Sequence, residues 1–303
     1  MIRYFKSTIL SPKLKRLASF ERGCWIEVLN PTPREIKFLT SRFKLNKRNL
    51  NAGLDPYELV RFDEEKGNFY IFSKVFPDVR KRNLETCLIV IGSDFFLTLT
   101  SDKFSFSREI SKRKISFVTT QRLKCLIKLL SLINGDLEKV TLKIVKRLQK
   151  RLRLKRELDE KGLASLIRDE ELLNELVGFY SRTEILYERI LRRMEFFEED
   201  RDIIEDLLVE ISEGFNLCKS FLKTISNLRE YHLILLSNRL NKVITLLTIF
   251  TILFSIAEAI SGIYGMNIAL PFQQNPSIFY YLLLPIPFIW LGLVFYLKKK
   301  KVI

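Results

Sequence analysis

Two long apolar segments lie close together near the C-terminal end of the chain, at residues 243–264 and 278–297. From Val243 to Leu297, Glu258 is the only side chain that carries a charge near neutral pH. About 20 apolar residues are enough for a helix to cross the roughly 30 Å hydrocarbon core of a bilayer. A buried hairpin in a soluble protein is the alternative, but such a hairpin does not need two segments of this length. We therefore expect two transmembrane helices joined by a loop at 265–277.

Positive charges on both sides of the apolar segments indicate their orientation. Arg239 and Lys242 precede the first segment, and a basic tail at 298–303 follows the second with a run of lysines, while the loop at 265–277 has no charge. The positive-inside rule therefore places both chain ends in the cytoplasm and the loop outside. No export signal opens the chain, so we expect residues 1–242 in the cytoplasm and the protein in the plasma membrane, the inner membrane of the cell.

Residues 1–115 have the pattern of a cytoplasmic domain of mixed α and β structure. Short runs of β-branched and aromatic residues are typical of strands, and turn-forming residues such as Lys66-Gly67-Asn68 separate them. These runs predict strands at 24–29, 69–76, 84–91 and 95–100, with short helices at 33–42 and 48–51.

Residues 116–242 have the spacing of long amphipathic helices. Apolar residues recur every three or four positions, and the clearest breaks are at 134–136 (Asn-Gly-Asp) and 161–162 (Lys-Gly). No proline occurs between residues 202 and 264, which predicts one helix of about 60 residues and about 90 Å. Gly214 would cost this helix about 1 kcal/mol relative to alanine without ending it. A stalk helix of this kind cannot bury its own apolar faces, so we expect an oligomer.

The charged and metal-binding residues do not indicate an enzyme or a nucleic-acid-binding protein. The net charge is +16, and residues 143–156 hold eight basic residues in fourteen positions. The apolar residues among them are aliphatic, which favours a solvated helix face over a contact with lipid headgroups or nucleic acid. The four cysteines are scattered and His232 is the only histidine, so the common zinc and redox sites are not predicted. No phosphate-binding loop motif is present.

The junction after the first apolar segment carries the motif Tyr264-Gly265-Met266-Asn267. Because a short loop, a second apolar segment and a run of lysines follow it, the chain resembles the CorA superfamily of divalent-cation transporters, and within it the shorter members with a YGMN signature. The resemblance covers nearly the whole chain and is weakest over residues 105–195. It extends through Gly23-Cys24-Trp25-Ile26, Asn30-Pro31-Thr32, Leu54-Asp55-Pro56-Tyr57-Glu58, Glu199-Asp200, Glu205-Asp206, Ser237-Asn238, Asn241, Val243, Leu247-Thr248-Ile249 and Gly262-Ile263.

This resemblance implies an α+β cytoplasmic domain followed by a long helical stalk and two C-terminal transmembrane helices, assembled as a homopentameric funnel in the lipid bilayer. Five copies of the first transmembrane helix would line one central pore, and the second helices would form an outer ring. The implied function is import of magnesium, with cobalt and nickel as further candidates, down the electrochemical gradient. No covalently bound cofactor is implied, and the divalent cation would be both the cargo and a regulatory ligand.

Most polar groups of the first apolar segment lie on one stripe of the helix. Polar groups within a bilayer face the interior of a helix bundle, because an unpaired polar group exposed to lipid is costly. We therefore predict that this stripe is the pore wall, with helix–helix hydrogen bonding as the alternative role of Thr251 and Ser255. Ile244 and Leu247 would form a hydrophobic gate near the cytoplasmic end. The polar stripe consists of Asn241, Ile244, Thr248, Thr251, Ser255, Glu258, Gly262 and Asn267.

The resemblance assigns the selectivity filter to the four residues of the YGMN motif. Magnesium sheds its water ligands reluctantly, so the amide oxygens of Asn267 would accept hydrogen bonds from the water shell of the ion. Gly265 would let the chain turn and bring backbone carbonyls close to the pore axis. Met266 would pack and hold this turn, and Tyr264 would brace it against a neighbouring subunit.

Glu258 departs from the family, in which threonine is usual at this position, and the proline usual nearby is missing at Ile256-Ala257. A ring of up to five carboxylates would attract divalent cations, although like charges disfavour their mutual ionisation. The alternative is a protonated or serine-bonded glutamate at a subunit contact. The loop also lacks the acidic residues that many relatives have after the asparagine, so the sequence leaves zinc open beside magnesium, cobalt and nickel.

The sequence leaves two alternative functions open and offers one candidate regulatory residue. A proton-coupled zinc or nickel transporter on the same fold would use Glu258 to carry the proton, and a non-conducting membrane scaffold or sensor is the other alternative. Asp206 matches an acidic position of the family's regulatory magnesium site on the stalk helix. A solvated acid on the helix face is the alternative for Asp206, and the sequence does not identify its partner.

Overall fold

The computed structural model describes residues 1–77, 84–101, 104–154, 160–268, 271 and 274–299. Its internal contacts divide the chain into two compact units, an N-terminal unit at Met1–Ile225 and a C-terminal unit at Ser226–Ile303.

A seven-stranded sheet forms the centre of the first part of the N-terminal unit, with the strand order β2-β1-β3-β7-β6-β5-β4. Neighbouring strands are antiparallel except β3 and β7, which run parallel with Cys24 opposite Phe95. The strands are β1 (Ile2–Lys6), β2 (Lys15–Leu17), β3 (Cys24–Leu29), β4 (Arg61–Glu65), β5 (Asn68–Val75), β6 (Glu85–Ile91) and β7 (Phe95–Thr100).

The four predicted strands are confirmed to within one residue at each end, and three others were missed. The missed strands β2 and β4 are the two edge strands and carry mostly charged residues, whereas the missed strand β1 lies between β2 and β3 and mixes Arg3 and Lys6 with apolar residues. Edge strands tolerate such charges because one side of each meets solvent, so the usual apolar signal is weak. The turn between β4 and β5 was predicted, and both Lys66 and Gly67 have the positive φ that a tight hairpin turn requires.

Helices α1 (Pro33–Phe43) and α2 (Lys47–Ala52) confirm the two predicted short helices. Thr32 and Glu35 form a capping box at the start of α1, and Ile36 and Leu39 pack into the apolar core against the sheet. A third short helix, α3 (Phe106–Lys112), was not predicted. Its start is held by the buried carboxylate of Glu27, which accepts hydrogen bonds from the hydroxyls of two serines and from one backbone N–H.

Three long helices follow, namely α4 (Arg122–Leu154), α5 (Glu160–Arg193) and α6 (Glu198–Tyr264). The predicted continuous stalk is confirmed, because α6 runs for 67 residues without interruption. Of the basic run at 143–156, residues 155 and 156 lie outside the described residues. Within this run, Arg147 forms an ion pair with the buried Asp169 of α5, so this residue is not part of a solvated face.

The predicted break at residues 134–136 is wrong, because α4 continues through it. Asn134 accepts a hydrogen bond from the Tyr187 hydroxyl at 2.7 Å, and its amide lies 3.4 Å from the carbonyl oxygen of Leu207. The carboxylate of Asp136 accepts two hydrogen bonds from Arg113. These polar residues therefore connect α4 to α5, α6 and α3 instead of forming a turn. The second predicted break, at 161–162, lies in the first turn of α5.

Gly214 of α6 lies directly against the ring of Tyr180 of α5. A Cβ atom at this position would lie 2.6 Å from ring carbons of Tyr180, which is closer than real Cβ contacts allow. The Tyr180 hydroxyl is in turn 3.0 Å from the hydroxyl of Thr141 on α4, so the ring is held on its far side. The absent side chain at Gly214 thus permits the packing of three helices.

Replacing Gly214 by alanine should destabilise the protein. The gain in helix propensity of about 1 kcal/mol is outweighed by overpacking against the Tyr180 ring, which costs about 1–3 kcal/mol. The matched control is Gly178→Ala on α5, where a Cβ would meet nothing within 4 Å. Thermal unfolding of the full-length protein should show a lower midpoint for Gly214→Ala and a higher one for Gly178→Ala. Equal shifts in the same direction would show that helix propensity alone matters.

In the C-terminal unit, α6 ends at Tyr264, as predicted. The second predicted span is not one regular helix but two segments, α7 (Ile278–Leu283) and α8 (Pro285–Lys299). Pro285 and Pro287 lack the N–H groups that would continue the helical hydrogen bonds, whereas Leu284 between the segments keeps helical φ and ψ angles. By length and composition, two helices are able to cross a membrane, within Glu198–Tyr264 and at Phe279–Tyr296.

Candidate functional site

The C-terminal part of α6 carries the predicted site, and one of its faces packs against α7 and α8. Ile249 and Leu253 are buried on this face. The rings of Phe254 and Trp290 are in edge-to-face contact at 5.9 Å, and the indole N–H of Trp290 donates a hydrogen bond to the carbonyl oxygen of Leu253 at 3.0 Å. Trp290 is the only tryptophan in the two apolar segments, but no motif or periodic pattern in the sequence marks it.

The polar stripe lies on the other side of α6. All eight of its residues are solvent-exposed in the single chain, whereas the partly or fully buried residues of the segment follow the opposite face. The stripe therefore lies opposite the buried residues Ile249 and Leu253, although Glu258 at its edge also borders a cavity that residues of α7 and α8 line. Its role as a pore wall stays a prediction, because that role depends on the arrangement of several chains.

The hydroxyl groups of the stripe donate their protons to the helix itself. Thr248 donates to the carbonyl of Ile244 at 2.8 Å, and Thr251 to that of Leu247 at 2.9 Å. Ser255 donates to the carbonyl of Ile252, three residues before it, at 3.0 Å. With the proton used in this way, each hydroxyl oxygen presents lone pairs outward and acts as an acceptor. Acceptors of this kind suit the water shell of a hydrated cation, whose water molecules are donors.

Glu258 is exposed and lies at the rim of a mostly apolar cavity of about 750 Å³ within the C-terminal unit. Ser261 donates a hydrogen bond to the backbone carbonyl of Glu258 at 3.0 Å and not to its carboxylate. Among the residues that the structure describes, the carboxylate has no hydrogen bond or ion pair, so the serine-bonded alternative is not seen in the single chain. The other lining residues include Phe254, Ala257, Ile260, Tyr264, Phe279, Leu283 and Ile286.

The YGMN motif differs in part from the expectation. The N–H of Gly265 donates to the carbonyl of Ser261 at 2.9 Å, and its φ is not positive, so the turn does not need a glycine-specific backbone conformation. A Cβ there would lie 3.2 Å from the same oxygen, which makes the small size of Gly265 the relevant property. Met266 is 48% exposed and does not hold the turn within its own chain. Tyr264 lines the same mostly apolar cavity of about 750 Å³ in its own chain, and Asn267 is exposed.

The structure describes the predicted gate and the start of the polar stripe, but only part of the external loop and of the basic tail. Ile244 and Leu247, the predicted gate, are 59% and 66% exposed in the single chain. Asn241, at the start of the polar stripe, is also exposed. In the external loop, residues 269–270 and 272–273 lie outside the described residues, as do residues 300–303 of the basic tail.

Asp206 is exposed on α6 in the N-terminal unit. One residue before it, Glu205 accepts a hydrogen bond from Arg201 at 3.0 Å. Across the described ranges of the chain, no group of three or more His, Cys, Asp and Glu side chains is arranged to hold a metal ion.

The sequence matches known transport proteins over almost its full length. The sequence profile of the family described as CorA-like Mg2+ transporter protein matches residues 20–299. The cobalt/magnesium transport protein CorA of Methanocaldococcus jannaschii is 26% identical over 294 residues, which cover 90% of this chain and 89% of that protein.

The fold also matches solved structures. The complete structure of the CorA magnesium transporter from Methanocaldococcus jannaschii has a TM-score of 0.84 at 22% identity, covering 98% of this chain and 97% of that one. The cytoplasmic domain of ZntB from Vibrio parahaemolyticus has a TM-score of 0.63 at 10% identity, covering 78% of this chain and 98% of that domain. At these identities, the similarity shows a shared fold and no more.

Proposed function

Because the chain belongs to the family of CorA-like Mg2+ transporter proteins, we propose that it is a passive channel that imports magnesium across the plasma membrane. The observation that carries this proposal is the polar stripe of α6, which lies opposite the buried Ile249 and Leu253 and presents hydroxyl and amide oxygens. A helix with a continuous polar face in a bilayer requires a polar or hydrated surface opposite it.

Several copies of the chain are needed to supply that surface. Apolar residues on α6 remain exposed in the single chain ahead of and within the first span, among them Leu233, Leu240 and Val243. Packing of α6 helices around one axis would bury these residues and enclose the polar stripe. The homopentamer implied by the family resemblance is the assembly that we propose, with the α7–α8 segments outside the ring.

In this assembly, the ion would pass four kinds of surface from outside to inside. The Asn267 amides would receive the hydrated ion at the outer mouth, and the Glu258 carboxylates would hold it electrostatically about two and a half helical turns deeper. The Thr and Ser oxygens would accept hydrogen bonds from its water shell. Ile244 and Leu247 would form an apolar constriction that closes when water leaves it.

The membrane potential is sufficient to drive such import. One elementary charge gains about 2.3 kcal/mol per 100 mV, so a divalent cation that moves inward gains about 4.6 kcal/mol. A negative potential inside the cell therefore concentrates magnesium without a nucleotide or a coupled ion. The proteins matched in sequence are named for magnesium and cobalt, which does not favour the alternative of a proton-coupled zinc transporter.

The proposal is tested by cation uptake into liposomes that contain the purified full-length protein. Magnesium, cobalt, nickel and zinc are compared at a fixed negative inside potential, with and without a pH gradient, and protein-free liposomes are the control. Magnesium entry that follows the potential and ignores the pH gradient supports the channel. Zinc or nickel entry driven by the pH gradient at zero potential would contradict it, and intact oligomers without any flux would indicate a scaffold.

We also propose that Asp206 contributes to inhibition by internal magnesium. A carboxylate at a subunit contact binds a divalent cation only when the facing chain is close, which would couple internal magnesium to the closed state. Asp206→Asn should raise the internal magnesium concentration that halves uptake by about tenfold, because coupling energies of this kind are about 1–3 kcal/mol. The measurement uses liposomes preloaded with graded magnesium concentrations.

Glu171→Gln is the matched control for Asp206→Asn, since Glu171 is an exposed acid on another helix, α5. This variant should be inhibited like the unmodified protein. If Asp206→Asn also retained normal inhibition, Asp206 would be a solvated surface acid with no regulatory role.

A further inference from the structure

Trp290 of α8 makes a directional contact with the backbone of α6. Its indole N–H donates a hydrogen bond to the carbonyl oxygen of Leu253 over 3.0 Å, although the two residues are 37 positions apart in sequence. The Phe254 ring lies against the indole with an interplanar angle of 73°. The donor, the acceptor and the ring contact together define both the distance and the angle between the two helices at this level.

The chemistry of this contact suits a bilayer. In a regular helix, the carbonyl of Leu253 accepts the N–H of Ala257 with one lone pair and has a second lone pair left. The hydrocarbon region offers no water to either the second lone pair or the indole N–H. The Trp290 hydrogen bond satisfies both groups, so a rotation of α6 that broke it would leave two polar groups without partners.

Leu253 lies on the face of α6 opposite the polar stripe. Ser255 follows it by two residues, which corresponds to about 200° around the helix. Leu253 itself is buried, while Ser255 and Glu258 are exposed. A hydrogen bond that holds the carbonyl of Leu253 toward α8 therefore also determines the direction in which Ser255 and Glu258 point.

We propose that Trp290 is a positioning residue, whose hydrogen bond to the Leu253 carbonyl sets the rotation of α6 so that Ser255 and Glu258 face the ion path. This inference rests on the proposed function. The usual role of tryptophan in membrane proteins is to anchor a helix at the headgroup level. Trp290 does not suit that role, because it lies close to the middle of the apolar segment 278–297.

Cysteine accessibility measures this rotation directly. The four native cysteines, Cys24, Cys87, Cys125 and Cys218, are buried. Burial raises the pKa of the Cys87 thiol to about 12 and that of Cys218 to about 11, so their reactive thiolates are scarce at neutral pH. A single cysteine introduced as Ser255→Cys in the full-length protein in liposomes is then the main target of a water-soluble methanethiosulfonate reagent.

The test adds Trp290→Phe, which keeps an aromatic ring and removes the N–H donor. Modification of Ser255→Cys should slow by between about threefold and about twentyfold, which is the range expected for the loss of one hydrogen bond between membrane helices. A probe on the neighbouring face, Ile256→Cys, should react faster in the same background, because the same rotation turns it toward water. Equal rates with and without Trp290→Phe, or slower rates at both probes, would overturn the proposal.

Two control substitutions separate the hydrogen bond from packing. Phe288→Leu changes an exposed aromatic residue that lies about 200° around α8 from Trp290. This substitution should leave the modification rates unchanged. Phe254→Leu removes the ring contact but keeps the N–H donor, and it should also leave them nearly unchanged. If Phe254→Leu slowed modification as much as Trp290→Phe, ring packing would set the rotation and the proposal would be wrong. If Ser255→Cys did not react even with Trp290 present, the pore-wall role of the stripe would fail instead.

Discussion

Replacing Asn267 by alanine should abolish magnesium uptake into liposomes. In the proposed pentamer, this change removes a ring of five amide oxygens that accept hydrogen bonds from the water shell of the ion. Each such hydrogen bond contributes about 1 kcal/mol, so losing the ring should reduce uptake at least about a hundredfold. The measurement is the initial rate of magnesium entry at a fixed membrane potential, with the amount of inserted protein determined for each variant.

The matched control is Asn275→Ala in the same external loop. The side-chain oxygen of Asn275 accepts a hydrogen bond from the backbone N–H of Ser277 at 3.0 Å, so its role is local to the start of α7. This variant should retain most of the uptake. Unchanged flux in Asn267→Ala would remove the filter role of Asn267 and with it the main support for ion selection by the YGMN motif.

Replacing Glu258 by threonine should weaken the binding of the transported ion. At the proposed position, several carboxylates surround the ion in a region of reduced dielectric constant, where each unit charge pair contributes a few kcal/mol at about 4 Å. We expect the magnesium concentration for half-maximal uptake to rise at least about tenfold, since tenfold corresponds to about 1.4 kcal/mol.

Glu230→Gln is the control for the loss of one negative charge from α6. Glu230 is exposed and precedes the first apolar segment, so its replacement should not change the affinity strongly. If Glu258→Thr left the affinity unchanged, the carboxylate ring would be wrong. Glu258 would then belong to a contact between subunits, for which the apolar cavity of about 750 Å³ beside it provides space.

The sequence predicted the structure best where one pattern repeats along a long segment of the chain. The 67-residue helix α6 and its end at Tyr264 were predicted, because the absence of proline and the repeated apolar pattern act over the whole segment. The sequence also placed the polar stripe of α6 opposite its packed face. Both features depend on helical periodicity, which can be counted along the chain without knowledge of any partner.

The errors occurred where a residue acts through a distant partner. Residues 134–136 have the composition of a turn, but Asn134 and Asp136 are held by Tyr187 and Arg113 within a continuous helix. The edge strands β2 and β4 were missed because they consist mostly of charged residues, which the edge of a sheet tolerates.

By itself, the sequence determined that this chain enters a membrane, which face of α6 is polar and which family it resembles. These properties follow from apolar length, from the 3.6-residue period and from short motifs, all of which are local. Only the tertiary structure decided that Gly214 admits the ring of Tyr180 and that Trp290 holds the carbonyl of Leu253. Such pairs depend on the close packing of residues far apart in the chain, and a periodic pattern specifies which face is buried but not which atoms it meets.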